Sequence, residues 1–533
     1  MTVTETAPTT TDPAVGSPPD PESTVGGFAM LVGSGDHKTI GRLYMVTALL
    51  SLIATGVSGV LLGAERIDLG TSDNIIATDT FTQVFSLHSV GGIFLFLMPL
   101  AIGLALLVVP LQVGASTVAF PRAAAASFWT FLVSAGLVEA SFVINGGPGG
   151  GNSDGVELFL VAMIVLIASH LMATVCIVTT VMTLRAPGMS LHRVPLFSWS
   201  NLVAGAMWLL TLPVLVGILV ILFVDYRYFR DFTGGNTGIY ARVAWVFGQP
   251  SIYLFAIPVL GFVGDVIPTF SGIRHLRHRV AMAAIGGFGI LSLGAWAQLG
   301  FTIDFTSTPG TPFVDEGPWI AFGLLALVPL LVLLALWAGT MSRGKVKVAP
   351  PLTYGLGAGV VLFVGVAIGA VIPVDQLELV GTSASTAQAH AVIVAAVLAL
   401  FGGLTYWSSK ILGTSMASAP SNLIATVLTL GALVLVVPDL VAGALGPDDL
   451  DVIEMLNLVS LVGGVLVALG ALGFATIFLV AAADKVPAET DPWEGHTLEW
   501  ITDSPPTVGN FAEVPEITSE APLYDLRHLE ATS

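Results

Sequence analysis

Long apolar runs alternate with short polar breaks along almost the whole chain, and the runs predict membrane-spanning α-helices. Twelve are traced, at roughly 42–62, 82–110, 126–146, 157–184, 200–224, 243–268, 280–301, 318–341, 352–373, 385–408, 420–441 and 457–482. Each is close to the ~20 residues that carry a helix across a hydrocarbon core of about 30 Å. Gly and Pro recur inside the runs, as membrane helices tolerate. The breaks are short, so no soluble domain is expected. The predicted fold is an all-α polytopic membrane protein, a twelve-helix bundle.

Three regions are expected: an N-terminal tail at 1–35, a membrane domain at 36–483 and a C-terminal tail at 484–533. The first thirty or so residues, rich in Thr and Pro with Glu5, Asp12, Asp20 and Glu22, lack the basic start and apolar core of a signal peptide. They are expected to be disordered, with insertion starting at the first helix. Twelve spans put both tails on one side. Loops on that side carry Arg122, Arg185, Arg193, Arg274, Arg277, Arg279, Arg343, Lys345, Lys347 and Lys410. The opposite loops carry only Arg66, Arg227, Arg230 and Arg242. The excess of basic residues predicts cytoplasmic termini.

Composition supports this class: 54% of residues are apolar and 10% charged, which excludes a soluble globule. The net charge of −18 lies mostly in the tails and the outer loops, where Asp439, Asp448, Asp449, Asp451 and Glu454 precede the last span. An acidic outer face suits a basic soluble partner, and equally a salty habitat or simple solubility. The lipid bilayer is an obligate partner; nucleic acid is not expected. Cys176 is the single cysteine, which rules out a disulfide framework, a thiolate metal cluster and a C-x-x-C-H attachment for a c-type haem.

Two histidines stand out against this apolar background. His88 lies in Phe85-Ser86-Leu87-His88-Ser89, at the start of the second run. His390 closes Thr382-Ser383-Ala384-Ser385-Thr386-Ala387-Gln388-Ala389-His390, at the start of the tenth. Polar side chains at membrane depth are costly and mark functional sites. Alone, either ring has the alternative of a hydrogen bond to a neighbouring helix. Both spans run inward from the outer face, so both rings fall in the outer third of the membrane. Together they suit a six-coordinate haem with two imidazole ligands, which transfers electrons because no iron position stays open.

From Asp36-His37-Lys38 to the C-terminal tail, the chain resembles subunit I of the haem-copper oxidases, the cytochrome c oxidase core. The resemblance rests on Pro110-Leu111-Gln112-Val113-Gly114-Ala115 with Ala119-Phe120-Pro121-Arg122, on Arg185-Ala186-Pro187-Gly188-Met189 and on Val194-Pro195-Leu196-Phe197. In the tail it rests on Pro492-Trp493-Glu494-Gly495, Thr497-Leu498-Glu499-Trp500 and Ser504-Pro505-Pro506. It implies that His88 and His390 are the axial ligands of the low-spin haem.

The departures are as informative. The family's ligand to the high-spin haem is Gln388 here, and the first copper histidine is Gln249 in Gln249-Pro250-Ser251-Ile252-Tyr253, which keeps the tyrosine. The adjacent copper histidines are Gln298 and Leu299. Amides offer a weak carbonyl oxygen where imidazole offers a basic nitrogen, so no copper and no oxygen reduction are expected. Gln249, Tyr253, Gln298 and Gln388 are expected either to satisfy one another or to line a small-molecule or quinone pocket. The family's proton-route positions are Thr117, Ser251 and Leu333, which leaves pumping without a carrier.

The arginine that the family sets against haem A is Gly63, so haem A and haem B both remain open, and the propionate arginines are absent. Arg227, Arg230 and Arg242 are the candidates to replace them. Glu139 reads either as a proton-linked acid or as a paired or water-facing one; His170 reads as a helix–helix hydrogen bond. His37, His192, His275, His278, His496 and His528 are assigned no chemistry. The leading expectation is one haem held by His88 and His390 in an electron-transfer subunit of a larger membrane redox complex. Its electron partner would be an external cytochrome, a copper protein or a quinol. A cofactor-free scaffold is the alternative, and a working terminal oxidase the third reading.

Overall fold

The computed structural model describes residues 31–67, 75–229, 233–294, 312–446, 449–484 and 486–530. Its helices are α1 His37–Glu65, α2 Thr78–Gly91, α3 Met98–Gln112, α4 Pro121–Val143, α5 Ser153–Thr183, α6 Leu196–Val224 and α7 Gly235–Val243. They continue as α8 Ile257–Ser271, α9 His278–Leu291, α10 Pro312–Arg343, α11 Pro350–Val371 and α12 Ser383–Tyr406. The series closes with α13 Ser408–Leu412, α14 Ser418–Leu445, α15 Leu450–Ala483 and α16 Pro522–Glu530. A π-helical turn, Gly92–Leu97, joins α2 to α3 into one continuous rod.

Side-chain caps start several of these helices. Asp36 accepts from the Lys38 N–H, Asn152 from Asp154 and Gly155, Thr382 from Ala384, and Asp449 from Val452. Each cap satisfies amides that have no partner inside the helix, a demand that is severe in lipid.

Among the described residues, ten helices are long and apolar enough to cross a membrane. The two remaining expected spans are shorter. The sixth opens as 3₁₀ turns at Ala244–Phe247 and Ser251–Phe255 and becomes α-helical only in α8. Pro250 and Pro258 explain the delay, since each lacks the N–H that a regular helix would use. At 15 residues α8 is about 22 Å long, short of the hydrocarbon core by itself. The seventh is described as α9, which ends at Leu291; Ser292 to Gly294 follow outside the helix, and the rest of the expected run lies outside the described residues.

From Gly35 onward the chain forms one compact unit that includes the C-terminal tail. The helices differ in enclosure, and that difference locates the interior. The most apolar window of the α2–α3 rod is 100% buried and that of α12 is 83% buried, against 33% for α1 and 28% for α15. The two elements that carry His88 and His390 are thus the innermost of these. The C-terminal tail docks on the end of the bundle where α3 and α12 finish. There Trp493 Nε1 donates to the Tyr406 carbonyl at 2.9 Å and Lys38 Nζ donates to Asn510 Oδ1 at 3.0 Å. The N-terminal segment 1–30 lies outside the described residues.

Candidate functional site

At the end of the bundle opposite the tail, α2 and α12 bring His88 and His390 into ring contact. The ring centroids are 5.9 Å apart and the planes lie at 63°. This contact puts the two imidazoles at one depth. His88 bonds the Thr55 carbonyl oxygen on α1 through Nδ1 at 3.0 Å, which leaves Nε2 as the nitrogen free for a metal. Gly59, one turn further along α1, lets that helix lie against the ring: a Cβ there would stand 2.6 Å from His88 Cε1. His390 Nδ1 is buried without a hydrogen-bond partner among the described residues.

This donor set fits a haem iron. Two imidazoles that share one metal, with metal–nitrogen bonds of about 2.0 Å, have centroids roughly 6 Å apart. A ligating histidine typically gives its other ring nitrogen to a carbonyl, as His88 does to Thr55.

A charged cluster lies beside this pair, and its membership corrects the sequence reading of Asp439. That residue, expected in an outer loop, sits inside α14 and is fully buried. Pro438 did not end the helix as a loop start would, and the carboxylate is matched from α1. Arg66 donates to both Asp439 oxygens, at 3.2 and 2.9 Å, and to Asn457 Oδ1 at 3.0 Å. Ser383, on the first turn of α12, donates to the Asp439 carbonyl at 2.7 Å, so the cluster also fixes the helix that carries His390. Arg66 and Asp439 both act electrostatically on the His390 ring.

The expected replacement cations lie elsewhere. Arg227 pairs with Glu157 at 2.7 Å, Arg242 is exposed, and Arg230 lies outside the described residues. Sequence reasoning passed over Arg66; the signal was the complementary Asp439 in an apolar run.

On α12, Gln388 precedes His390 by two residues, a turn of about 200° around the helix axis, so the two side chains leave opposite faces. Gln388 Nε2 donates to Tyr253 Oη at 2.9 Å and reaches Gln249 Oε1 at 3.3 Å. Gly369 on α11 closes the cluster from the other side: a Cβ there would stand 2.0 Å from Tyr253 Oη and 2.3 Å from Gln388 Nε2. Gln249, Tyr253 and Gln388 therefore share one tight polar nest, while Gln298 and Leu299 lie outside the described residues. Of the proton-route positions, Ser251 and Leu333 are buried and Thr117 is half-buried; none is titratable at neutral pH.

His170 Nε2 bonds the Phe94 carbonyl at 2.9 Å. Phe94 lies within the π turn that follows His88, so the helix–helix bond expected of His170 falls on an irregular turn of the α2–α3 rod. Glu139 is exposed on α4.

Residues 39–478 match the protein family described as Cytochrome C and Quinol oxidase polypeptide I. The chain is 28% identical over 525 residues to a probable cytochrome c oxidase subunit 1 of Bradyrhizobium diazoefficiens, covering 93% of this chain and 78% of that one. It is 29% identical over 530 residues to a putative cytochrome c oxidase subunit 1-beta of Streptomyces coelicolor, covering 93% and 90%. A chain from a cryo-EM structure of a heme-copper terminal oxidase dimer superposes with a TM-score of 0.68. Its identity of 15%, over 92% of this chain and 89% of that one, speaks to the fold alone.

Proposed function

Because the chain belongs to the Cytochrome C and Quinol oxidase polypeptide I family, we propose that it is an electron-transfer subunit of a membrane redox complex that keeps one haem and has given up oxygen reduction. The observation that carries this reading is the contrast across α12. On one face His390 meets His88, and on the other Gln388 is bonded to Tyr253 and within reach of Gln249. The imidazole pair is suited to iron. The amide nest is poorly suited to copper or to a second haem iron, because its nitrogens are not basic.

His88 and His390 would supply the two axial nitrogens of the haem. Bound there, it would supply one-electron transfer, with both axial positions filled by protein. The Thr55 carbonyl orients the His88 ring and fixes which nitrogen faces a metal. Arg66, held by Asp439 and Asn457 and acting on the His390 ring, would be the candidate cation for a haem's carboxylates in place of Arg227, Arg230 and Arg242. Neither haem A nor haem B is favoured by a described residue. The electron partner would be an external cytochrome, a copper protein or a quinol, and companion subunits would complete the complex. The tail-bearing end would face the cytoplasm of a prokaryotic cell, following the basic residues at that end.

Metal and haem content of the purified protein tests the proposal. One haem iron per chain and no copper is the expected result. A protein with neither makes this chain a cofactor-free scaffold, and copper with two haems makes it an oxidase.

A further inference from the structure

At the tail-bearing end, far from the histidine pair, two buried carboxylates converge on one amide. Gln112 Nε2, at the end of α3, donates to Asp265 Oδ2 at 3.0 Å and to Glu499 Oε1 at 3.1 Å. The amide cannot be turned the other way. Its oxygen is held by the Ser198 N–H at 3.1 Å and by Ser198 Oγ at 2.7 Å, so both amide hydrogens face the acids. Asp265 is 9% exposed and Glu499 is 0% exposed.

We propose that Asp265 and Glu499, bridged by Gln112, form a site that binds one shared proton at neutral pH and ties the C-terminal tail to the membrane domain. The charges around the pair support one proton and not two or none. From α6 come only the N–H groups of Leu196 and Phe197, which donate to Asp265 at 2.9 and 3.1 Å. From α12 comes the Tyr406 hydroxyl, engaged with Thr269 at 3.1 Å, and beyond it Trp407 Nε1, which donates to Glu499 Oε1 at 3.0 Å.

Among the described residues, the one buried cation nearby is Lys410 on α13. It is spent on the Thr502 carbonyl at 2.5 Å, with the Trp500 ring 5.6 Å away. The remaining tail acids do not add a counter-charge: Asp491 is paired with Arg527 at 2.6 Å, and Asp503 is itself acidic.

Two buried carboxylates against one displaced cation are not both stable as anions, and such a pair keeps a proton. Glu499 Oε2 marks where it belongs. That oxygen is buried and has no hydrogen-bond partner among the described residues, while Asp265 receives three N–H bonds that stabilise its charge. Burial also pushes the Glu499 carboxyl up from its usual range.

Infrared difference spectra of the full-length protein in detergent, wild type against Glu499→Gln and against Asp265→Asn, test this. At neutral pH the wild type should show one protonated-carboxyl band that both variants lack. Removing either acid relieves the repulsion and lets the other ionise. A band lost in only one variant identifies an isolated protonated acid and overturns the sharing; no band in the wild type overturns the site. Should a variant fail to fold, the wild type alone decides by proteolysis of the tail as a function of pH. Above about pH 6.5, where the buried imidazoles no longer titrate, cleavage should rise with pH by up to about tenfold per unit until the docked pair also gives up its proton, and level off beyond that point. A profile already flat from about pH 6.5 upward contradicts the proposal.

Discussion

His88 lends its Nδ1 to the carbonyl oxygen of Thr55 at 3.0 Å, across the α1–α2 contact, and so leaves Nε2 as the ring nitrogen open to a metal. That bond makes α1 part of the site although it carries no ligand. It also explains why glycine stands at position 59, where any side chain would meet the ring.

Gly59→Val is therefore expected to displace the His88 ring without unfolding the bundle. Overpacking of this kind costs about 1–3 kcal/mol. A circular-dichroism spectrum should keep its helical shape, while the visible spectrum of the bound haem weakens or shifts. An unchanged visible spectrum would show that the ring does not need its seat.

His170→Leu removes the donor that satisfies the Phe94 carbonyl in the π turn. A buried carbonyl left without a partner costs about 1–3 kcal/mol. A thermal melt in detergent should fall accordingly, and His170→Gln, which retains a side-chain donor, should recover part of the loss. Equal melts for Leu and Gln would contradict this role.

Much of the bundle was legible in the sequence, because a membrane span is encoded one helix at a time by length and apolarity. Ten of the twelve expected runs reappear as long helices among the described residues. The sixth was harder because Pro250 and Pro258 break its backbone pattern without breaking its apolar run. His88 and His390 stood out in the sequence because each is polar inside an apolar run, and Gln249, Tyr253 and Gln388 because they stand at the family's ligand positions. Arg66, Asp439, Gln112, Asp265 and Glu499 were not assigned roles. Their meaning lies in pairing between residues distant in the chain, and Asp439, at the outer end of the eleventh run, was grouped with the loop acids that follow it.

The Arg66–Asp439 pair should respond asymmetrically to substitution. Arg66 is 32% exposed and retains water when Asp439→Asn removes its partner's charge. Arg66→Gln, by contrast, leaves a fully buried carboxylate without a counter-charge, the more costly situation. Melting temperatures should therefore rank wild type above Asp439→Asn, and Asp439→Asn above Arg66→Gln. The reverse order of the two variants would count against this account.

Acid should loosen the tail-bearing end. Burial lowers the imidazoles of His275 and His496 from 6.5 to about 4. Between those values the unfolded chain binds more protons than the folded one, so stability rises with pH across that window and is lost as pH falls through it. Protease sensitivity of the tail, followed from pH 6.5 to about 4, should increase. His496→Gln should blunt that increase, and an identical profile in the variant would rule His496 out as a cause.

The imidazole pair is tested most directly by the visible spectrum of the purified protein, recorded for the wild type, His88→Ala and His390→Ala. A low-spin Soret and α band in the wild type that each alanine variant loses, with helical content retained, is the result predicted here. A colourless wild type, or a band that survives both substitutions, would contradict it.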